Sequence, residues 1–523
     1  MVFWISLTLL SVLVLIGAGF PAQLEEVTSG ALGFTVSHAG WLYLLVVFFL
    51  VVFLIYLACS RFARLRIGGE DATPEFSKPT WFAMLFSAGM GIGLVFWGTA
   101  EPISHLVTPP EGLAPMSNEA ARAALRYSYF HWGLHPWAIY AVLGLAMAWF
   151  KFNRNARGLI SELLRPVFGR LMDGALGHAV DVLAVIATAV GVATSLGFGA
   201  LQISAGLEHV FGLPRSTGNQ LAIIGAALVL YLLSSTTGLH RGIKWLSNLN
   251  MVLAGLVLLA FLVFGPTGFL FEEFTSTLGS YLNQLTAMSL RMTPFVKGTW
   301  VADWTIFYWA WWISWAPFVG SFIAAVSRGR TVREFVVGVL AVPTLLSFVW
   351  FAVLGGTALH LQLFGGVDLA AALKQGPEQV LFQVLDALAG ARVLAVLATL
   401  LLLSFFVTSA DSATLVLAML TSGGVHEPTM GRKIIWGVMQ AAVAAVLLVA
   451  GGLQALQSMA VIAAVPFAII LVLVCFSLTR ALQEEENRLE QEEQSFRHAL
   501  RRWLVHEDRQ RSAPDEKVGA TPR

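Results

Sequence analysis

The chain has 523 residues, of which 57% are hydrophobic and only 12% are charged, and its formal net charge is +1. Soluble domains carry roughly 25% charged residues, so this composition excludes an ordinary soluble domain and indicates an integral membrane protein. The near-zero net charge argues against a nucleic-acid partner. The two cysteines, Cys59 and Cys475, stand near the ends of apolar runs without the spacing of a disulfide or metal site.

Apolar runs of about 20 residues can cross a hydrocarbon core of about 30 Å as a helix. We predict twelve such spans, at residues 2–20, 40–59, 81–103, 128–150, 179–206, 219–235, 247–270, 304–326, 335–359, 393–420, 434–451 and 456–478. The first begins at Met1 without a basic stretch or a cleavage site before Pro21, so we interpret it as an uncleaved span.

The loops between these spans differ in charge. Sixteen Lys and Arg residues fall in the loops on one predicted side of the membrane, against seven on the other. Because translocation of Lys and Arg is disfavoured, the basic side is expected to be cytoplasmic. With twelve spans, both termini are then cytoplasmic.

The third and eighth spans contain helix-weakening residues. Gly89, Gly91 and Gly93 alternate in the third, and Pro317 lies in the eighth. Both features weaken a helix, so each span is predicted to be broken. The two spans lie five apart, which favours two inverted five-helix repeats, spans 3–7 and 8–12, as in secondary transporters. The alternative is that the glycines only permit close helix packing.

The eighth span is rich in aromatic residues. Residues 303–315 hold five tryptophans and one tyrosine, and Tyr308, Trp311, Trp312 and Trp315 form one helical stripe. Such stripes are often membrane-interface belts or packing. However, the last three stand eight to twelve residues after Asp303, which places them about 12 to 18 Å deep, near the midplane.

The fourth span adds Trp132, Trp137 and Tyr140. Sequence reasoning finds no acidic residue at the depth of these aromatics in either span, and identifies Asp181 and Asp411 as the acids well inside spans. An aromatic cage without a carboxylate suits a bulky cation that has no N–H donors, because trimethylammonium is held by ring quadrupoles. The predicted substrate is a quaternary ammonium compound.

The tenth span carries two adjacent hydroxyls, Thr408 and Ser409. A monovalent cation prefers several oxygens, which such hydroxyls and the carbonyls of an unwound segment supply. The alternative is that each hydroxyl bonds the carbonyl four residues earlier in its own helix. His131 and His135 have a metal-compatible spacing but lack a third ligand in the sequence.

Four segments resemble the betaine/choline/carnitine transporter family over roughly residues 40–480. They are GMGIGLVFWGTAEP at 89–102, HWGLHPWAIY at 131–140, DWTIFYWAWWISWAPFVG at 303–320 and TSADSATL at 408–415. The resemblance implies an all-α fold, often trimeric. Its parts would be two peripheral helices in 1–60 and five-helix repeats in 81–270 and 304–478. The tail in 480–523, predicted to be cytoplasmic, departs from the family pattern.

The resemblance also implies roles for individual residues. The ammonium cage would be Trp132, Trp137, Tyr140 and Trp312, with Trp309, Trp311 and Trp315 along the pathway and Met90, Gly91 and Gly93 beside the substrate. Sodium would bind carbonyls of Ser87, Met90 and Phe405 and hydroxyls of Thr408 and Ser409. A second sodium would involve Thr188 and Phe318, although Val192 stands where another hydroxyl is expected.

The tail has Leu482, Leu489, Phe496 and Trp503 at intervals of seven, which predicts an amphipathic helix followed by a disordered end after Ser512. The tail is expected to modulate transport.

The predicted function is sodium-coupled import of a zwitterion such as glycine betaine across a bacterial-type cytoplasmic (inner) membrane, without a cofactor. The alternatives are a choline or carnitine carrier with proton coupling or sodium-independent exchange, a ligand-gated channel, and a sensor without flux. The sequence has no P-loop, nucleophile elbow or zinc motif, so we do not expect an enzyme.

Overall fold

A computed structural model describes residues 1–89, 91–237, 240–296, 298–425 and 427–511. Across these residues the regular structure is helical, apart from an isolated bridge between Arg66 and Thr331. Nine helices in the described ranges are long and apolar enough to cross a membrane. The prediction of an all-α, multi-pass membrane protein is therefore confirmed.

The first half of the chain forms nine α-helices. They are α1 Val2–Gly19, α2 Pro21–Cys59, α3 Lys78–Gly89, α4 Ile92–Val107, α5 Asn118–Trp132, α6 Leu134–Arg154, α7 Ile160–Leu163, α8 Arg165–Phe168 and α9 Ala175–Phe211. Short 3-10 helices at Arg61–Arg64 and Gly169–Asp173 lie in the connections.

The second half forms nine more. They are α10 Thr217–Thr237, α11 His240–Phe264, α12 Thr267–Ser289, α13 Phe307–Ala325, α14 Val332–Leu363, α15 Leu369–Gln375, α16 Pro377–Asp386, α17 Ala391–Leu420 and α18 Met430–Arg511. A π-helical turn, Ala302–Ile306, leads into α13.

The described residues contain nine sufficiently apolar helices and not twelve, for three reasons. The third span is divided between α3 and α4, and each part is too short to count. The eighth lies on α13, whose tryptophans lower its mean hydropathy. The last two spans lie on α18, which is kinked at Gly451 and Gly452. Twelve crossings and inverted repeats stay predictions.

The predicted break in the third span is confirmed, because α3 ends at Gly89 and α4 begins at Ile92. The predicted break in the eighth span is wrong, since α13 continues through Pro317. Proline removes one backbone hydrogen bond, and membrane helices tolerate it where neighbouring helices re-satisfy the freed group. Here Pro317 is buried within the helix bundle.

The centre of the bundle consists of α4, α5, α6 and α13. All residues of α6 from His135 to Phe150 are buried, as are nearly all of α4. The helix α13 packs mainly on α6, and α9, α14 and α17 surround this centre. In contrast, α1 and α2 expose many large apolar side chains, as expected of peripheral helices that face lipid.

The basic loops meet on one face of the bundle. The Ile67 amide donates to the Arg330 carbonyl at 2.9 Å, and the Gly68 amide donates to Asn153 Oδ1 at 2.8 Å. The last part of α18 lies on this face too, where Glu484 pairs with Arg154 at 3.0 Å. The loops following α2, α6 and α13, all predicted on the basic side, are therefore together. That this side is cytoplasmic stays a prediction.

Candidate substrate-binding site

A cavity of about 130 Å³ lies between the start of α4, α6, α13 and α17. One part of its lining is aromatic, and another part carries hydroxyl and amide groups. The aromatic wall includes Trp132, Tyr140, Trp311, Trp312 and Trp315, and the polar wall includes Asn250, Thr408, Ser409 and Ser412. Gly91, Gly93, Phe405 and Phe318 also line the cavity. Apolar pockets with a few convergent polar groups are typical of small-molecule sites.

Two predicted cage residues, Trp132 and Tyr140, meet a third, Trp312. Its ring centroid lies 4.8 Å from that of Trp132, with the planes at 74°, and 6.2 Å from that of Tyr140, at 78°. The Trp312 Nε1–H donates to the His131 carbonyl at 3.0 Å, which holds the ring in place. Perpendicular rings that share one space offer π faces to a cation from several directions.

The fourth predicted cage residue, Trp137, does not line the cavity. Its ring lies 5.6 Å from that of Tyr140, edge to face, and the side chain is buried. Trp137 therefore supports Tyr140 from behind in this conformation, and a direct role with the substrate stays a prediction.

The other tryptophans of α13 point in different directions. Trp311 donates to Ser195 Oγ at 3.2 Å, and Trp315 donates to the Gly191 carbonyl at 2.9 Å, so both are fixed against α9 while lining the cavity. Trp309 points away from the cavity and stacks on His135, with ring centroids 5.1 Å apart. Consecutive helical positions lie about 100° apart, so an aromatic-rich helix necessarily presents rings to several neighbours.

Of the two glycines at the start of α4, Gly93 allows the aromatic wall to approach closely. A β-carbon at Gly93 would lie 2.4 Å from the Trp311 ring and 3.2 Å from the Trp132 ring, so only a glycine fits that contact without a shift. A β-carbon at Gly91 would have more room, since its nearest neighbour is Ser409 Oγ at 3.9 Å. The interruption before α4 therefore lies beside the polar wall.

The predicted sodium site is partly described. Thr408 Oγ1 donates to the Ser404 carbonyl at 2.9 Å, the alternative bond within its own helix, and accepts from Asn250 Nδ2 at 3.0 Å. Ser409 and Phe405 line the cavity. Ser87 lies on α3, and Met90 lies outside the described residues. The hydroxyls of α17 therefore line the cavity beside the break, and sodium binding at this position stays a prediction.

Sequence reasoning missed Asn250. This residue of α11 is 4% exposed, and its Oδ1 has no hydrogen-bond partner among the described residues. An amide oxygen beside two hydroxyls is a further neutral ligand of the kind a hard cation takes. The signal for it was the pair of amides, Asn248 and Asn250, in the otherwise apolar run 247–270.

The predicted second sodium position is not assembled around the cavity. Phe318 lines the cavity, but Thr188 does not, and its hydroxyl donates to the Ala184 carbonyl at 2.7 Å within α9. Val192, one turn later, is buried and apolar as expected.

A buried carboxylate stands behind the aromatic wall. Glu101 of α4 is fully buried and accepts hydrogen bonds from Trp132 Nε1 at 2.8 Å and Tyr308 Oη at 2.5 Å. The expectation concerned the fourth and eighth spans, and it did not consider this carboxylate, which comes from the third span. Glu101 stands only two residues from the end of the predicted span 81–103, so counting from span ends placed it near the surface.

The pair of histidines does not form a metal site. His135 Nε2 lies 2.8 Å from Ser289 Oγ, whereas the His131 ring contacts Glu101 and Thr305. Although the two stand one helical turn apart in sequence, α5 ends at Trp132 and α6 begins at Leu134, and the rings point into different hydrogen-bond networks.

Comparison with known proteins decides the family. The model of the BCCT family, described as betaine/carnitine/choline family transporter, matches residues 1–487. The chain belongs to the BCCT family. The family consists of transporters, which are not enzymes.

Several BCCT relatives are similar over nearly their whole length. The glycine betaine transporter OpuD of Bacillus subtilis is 49% identical over 94% of this chain and 96% of its own. An ectoine/hydroxyectoine transporter of Virgibacillus pantothenticus is 46% identical over 94% of this chain and 98% of its own. Glycine betaine transporter 1 of Vibrio parahaemolyticus is 41% identical over 86% of this chain and 87% of its own.

Proposed function

We propose that this BCCT protein is a secondary active transporter that imports glycine betaine, or a similar zwitterionic quaternary ammonium solute, coupled to sodium. The observation that carries the proposal is the cavity itself, with Trp132, Tyr140 and Trp312 at one wall and the hydroxyls of Thr408 and Ser409 at the other. Relatives named as glycine betaine transporters support the substrate class.

The aromatic wall is suited to the ammonium end of the substrate. A trimethylammonium group has no N–H to donate, so it gains little from hydrogen-bond acceptors and most from ring faces, by about 2 kcal/mol or more when desolvated. Trp132, Tyr140 and Trp312 are all nearly buried, which removes competing water.

The start of α4 is suited to the carboxylate end. The first amides of a helix have no partner inside the helix and favour an anion. The backbone of α4 begins beside Gly91, with extended φ and ψ at that residue, and Gly91 and Ile92 line the cavity. A zwitterion can therefore place its ammonium group at the aromatic wall and its carboxylate at the start of α4. Choline has no carboxylate, so it would lack the second contact.

Sodium coupling is supported by chemistry rather than by an observed ion. A transporter works against a gradient when its ion and substrate favour the same conformation. The hydroxyls of Thr408 and Ser409 and the amide oxygen of Asn250 lie around the same cavity as the cage, so an ion there would stabilise a substrate-ready arrangement.

The setting of the protein is part of the proposal. We place it in a bacterial-type inner membrane as a homotrimer, with both termini cytoplasmic and a role in osmoprotection. The shared face of the basic loops supports that orientation.

Uptake in a host without betaine transporters tests the proposal. Labelled glycine betaine, choline, carnitine and ectoine would be compared, each with sodium and with sodium replaced by potassium. We expect saturable, concentrative uptake that is greatest for glycine betaine and is lost without sodium. Preference for choline or carnitine, or undiminished uptake without sodium, would favour the alternative carrier. Current without concentration would indicate a channel.

A further inference from the structure

Glu101 accepts four hydrogen bonds from side chains around it. Its Oε2 accepts from Trp132 and Tyr308, as described above. Its Oε1 lies 2.7 Å from His131 Nδ1 and 3.2 Å from His105 Nε2. All five side chains are buried. The carboxylate therefore connects two aromatic residues of α5 and α13 with two histidines.

The hydrogen-bond pattern fits an ionised carboxylate that accepts from both histidine rings. His131 Nδ1 donates to Glu101, and its Nε2 lies 3.0 Å from Thr305 Oγ1. When His105 donates from Nε2, its Nδ1 is the unprotonated nitrogen, and it has no partner among the described side chains. The two carboxylate oxygens of Glu101 accept from all four donors, so the carboxyl group needs no proton of its own to complete these hydrogen bonds.

Among the described residues, no lysine or arginine pairs with the negative charge of Glu101. Its ion-pair contacts there are the two histidines. The same three groups have ligand atoms within 4.8 Å of one another, a metal-compatible spacing. The four hydrogen bonds already satisfy the carboxylate without an ion, so we do not infer a metal site.

The carboxylate is linked to the cage through two routes. Trp132, which donates directly to Glu101, is one wall of the cage and lies 4.8 Å from Trp312. The His131 ring contacts Glu101 Oε1, and the His131 backbone carbonyl accepts a hydrogen bond from Trp312 Nε1 at 3.0 Å. Loss of the Glu101 charge would therefore loosen two of the three rings that meet in the cavity.

We propose that Glu101 is a positioning residue for the ammonium cage, and that its buried negative charge acts through the Trp132 indole to favour a cation between Trp132 and Trp312. This inference rests on the proposed function. A charge-assisted N–H hydrogen bond is roughly twice as strong as a neutral one. In a low-dielectric site, an uncompensated anion behind a ring also attracts a cation in front of it.

A double-mutant cycle tests the route through Trp132. Glu101→Gln keeps the size of the side chain and an acceptor oxygen but removes the charge. Trp132→Phe keeps an aromatic face but removes the N–H that contacts Glu101. For each variant and the pair, the Michaelis constant and the maximal rate of glycine betaine uptake would be measured at saturating sodium, normalised to folded protein in the membrane.

We expect Glu101→Gln to raise the Michaelis constant about tenfold with a maximal rate within about twofold of wild type. In the Trp132→Phe background the same change should have less than about a twofold further effect, because residues that act through one contact are not additive. Asp181→Asn is a matched control, since Asp181 is also a buried carboxylate but accepts from Ser161 instead. It should leave the Michaelis constant unchanged.

Three results would overturn the inference. In the first, Glu101→Gln leaves the Michaelis constant unchanged. In the second, the fold-increases in the Michaelis constant of the two single variants multiply in the double variant. In the third, Glu101→Gln lowers the maximal rate alone. If Glu101→Gln does not fold, Tyr308→Phe removes one donor to Oε2 and leaves the carboxylate in place. It should raise the Michaelis constant a few-fold, and an unchanged value would count against the inference.

The cycle also separates this inference from the proposed function. If Trp132→Leu and Trp312→Leu both leave betaine uptake intact, the cage itself is wrong. If those variants lose affinity while Glu101→Gln does not, the cage stands and only the role of Glu101 fails.

Discussion

The peripheral helix α1 and the central pair α5–α6 both contain long apolar stretches and tryptophans, but they use them differently. In α1, 22% of the residues are buried, and Trp4 is 68% exposed. In the most apolar stretch of α5–α6, 94% of the residues are buried, and Trp132 is 5% exposed. The central pair is the less apolar of the two and carries buried His131 and His135. Polar groups in a membrane helix thus mark the protein interior, while the apolar helix faces lipid.

Replacement of a central and a peripheral tryptophan tests this contrast and has the largest expected effect. Trp312→Leu removes one cage wall, and loss of a desolvated cation–π contact of about 2 kcal/mol weakens betaine binding about 30-fold. Trp312→Tyr should keep part of the affinity. Trp4→Leu is the matched control and should change it less than twofold. Binding to purified protein and uptake would be measured together.

Two outcomes would contradict the cage. Equal losses for Trp312→Leu and Trp312→Tyr would indicate that the residue only packs. A similar loss for Trp4→Leu would show that any tryptophan change disturbs the bundle.

The polar wall gives the second prediction. Thr408→Ala together with Ser409→Ala removes two hydroxyls beside the break before α4, so the sodium concentration for half-maximal uptake should rise at least about tenfold, since each lost ligand costs about 1 kcal/mol or more. Uptake would then no longer respond to sodium in the physiological range. Initial rates against sodium concentration measure this, with Thr414→Ala, a buried hydroxyl bonded within α17, as a control.

The shape of that sodium curve carries its own information. Because Thr188 bonds within α9 and Val192 offers no oxygen, the wild-type Hill coefficient should be near one. A coefficient near two would show that a second sodium binds despite this arrangement. Wild-type uptake that is undiminished without sodium would refute the coupling altogether.

The two glycines at the start of α4 give the third prediction. Gly93→Ala places a methyl group against the Trp311 ring, and overpacking of this kind costs about 1–3 kcal/mol. A methyl group at Gly91 would meet only Ser409 Oγ, at an ordinary contact distance of 3.9 Å, and the backbone there is extended, which any residue adopts. The melting temperature of the purified protein should therefore fall by a few °C for Gly93→Ala and stay nearly unchanged for Gly91→Ala. The reverse order would mean that backbone freedom at Gly91 matters more than space at Gly93.

The tail gives the smallest expected effect on the substrate. After α18 leaves the bundle, Glu486 pairs with Arg64 at 2.5 Å, while Phe496 and Trp503 of the predicted stripe are more than half exposed. Deletion of residues 481–523 should leave the Michaelis constant for betaine nearly unchanged and alter the maximal rate or its response to osmolality. A large change in the Michaelis constant would connect the tail to the cavity. The predicted disorder after Ser512 lies outside the described residues.

Local sequence patterns predicted the helices and most of the aromatic wall, because apolar length and helical spacing are properties of neighbouring residues. They also predicted the interruption near Gly91, since glycines weaken any helix. The patterns could not predict that Trp137 and Trp309 turn away from the cavity, because side-chain direction depends on which helices pack on either side. Glu101 and Asn250 were missed for the same reason: each meets its partners across long stretches of sequence, Glu101 with Tyr308 and Asn250 with Thr408.

The length of α2 has a consequence for the surrounding membrane. Its 39 residues span about 58 Å at about 1.5 Å per residue, nearly twice a hydrocarbon core of about 30 Å. Phe20 alone joins it to α1, so α1 ends at the level where α2 begins. To fit within the core, α2 would have to tilt by about 60°, beyond the usual range of about 0–40°. Part of its first half, which carries Glu25, Glu26 and His38, therefore lies outside the hydrocarbon core.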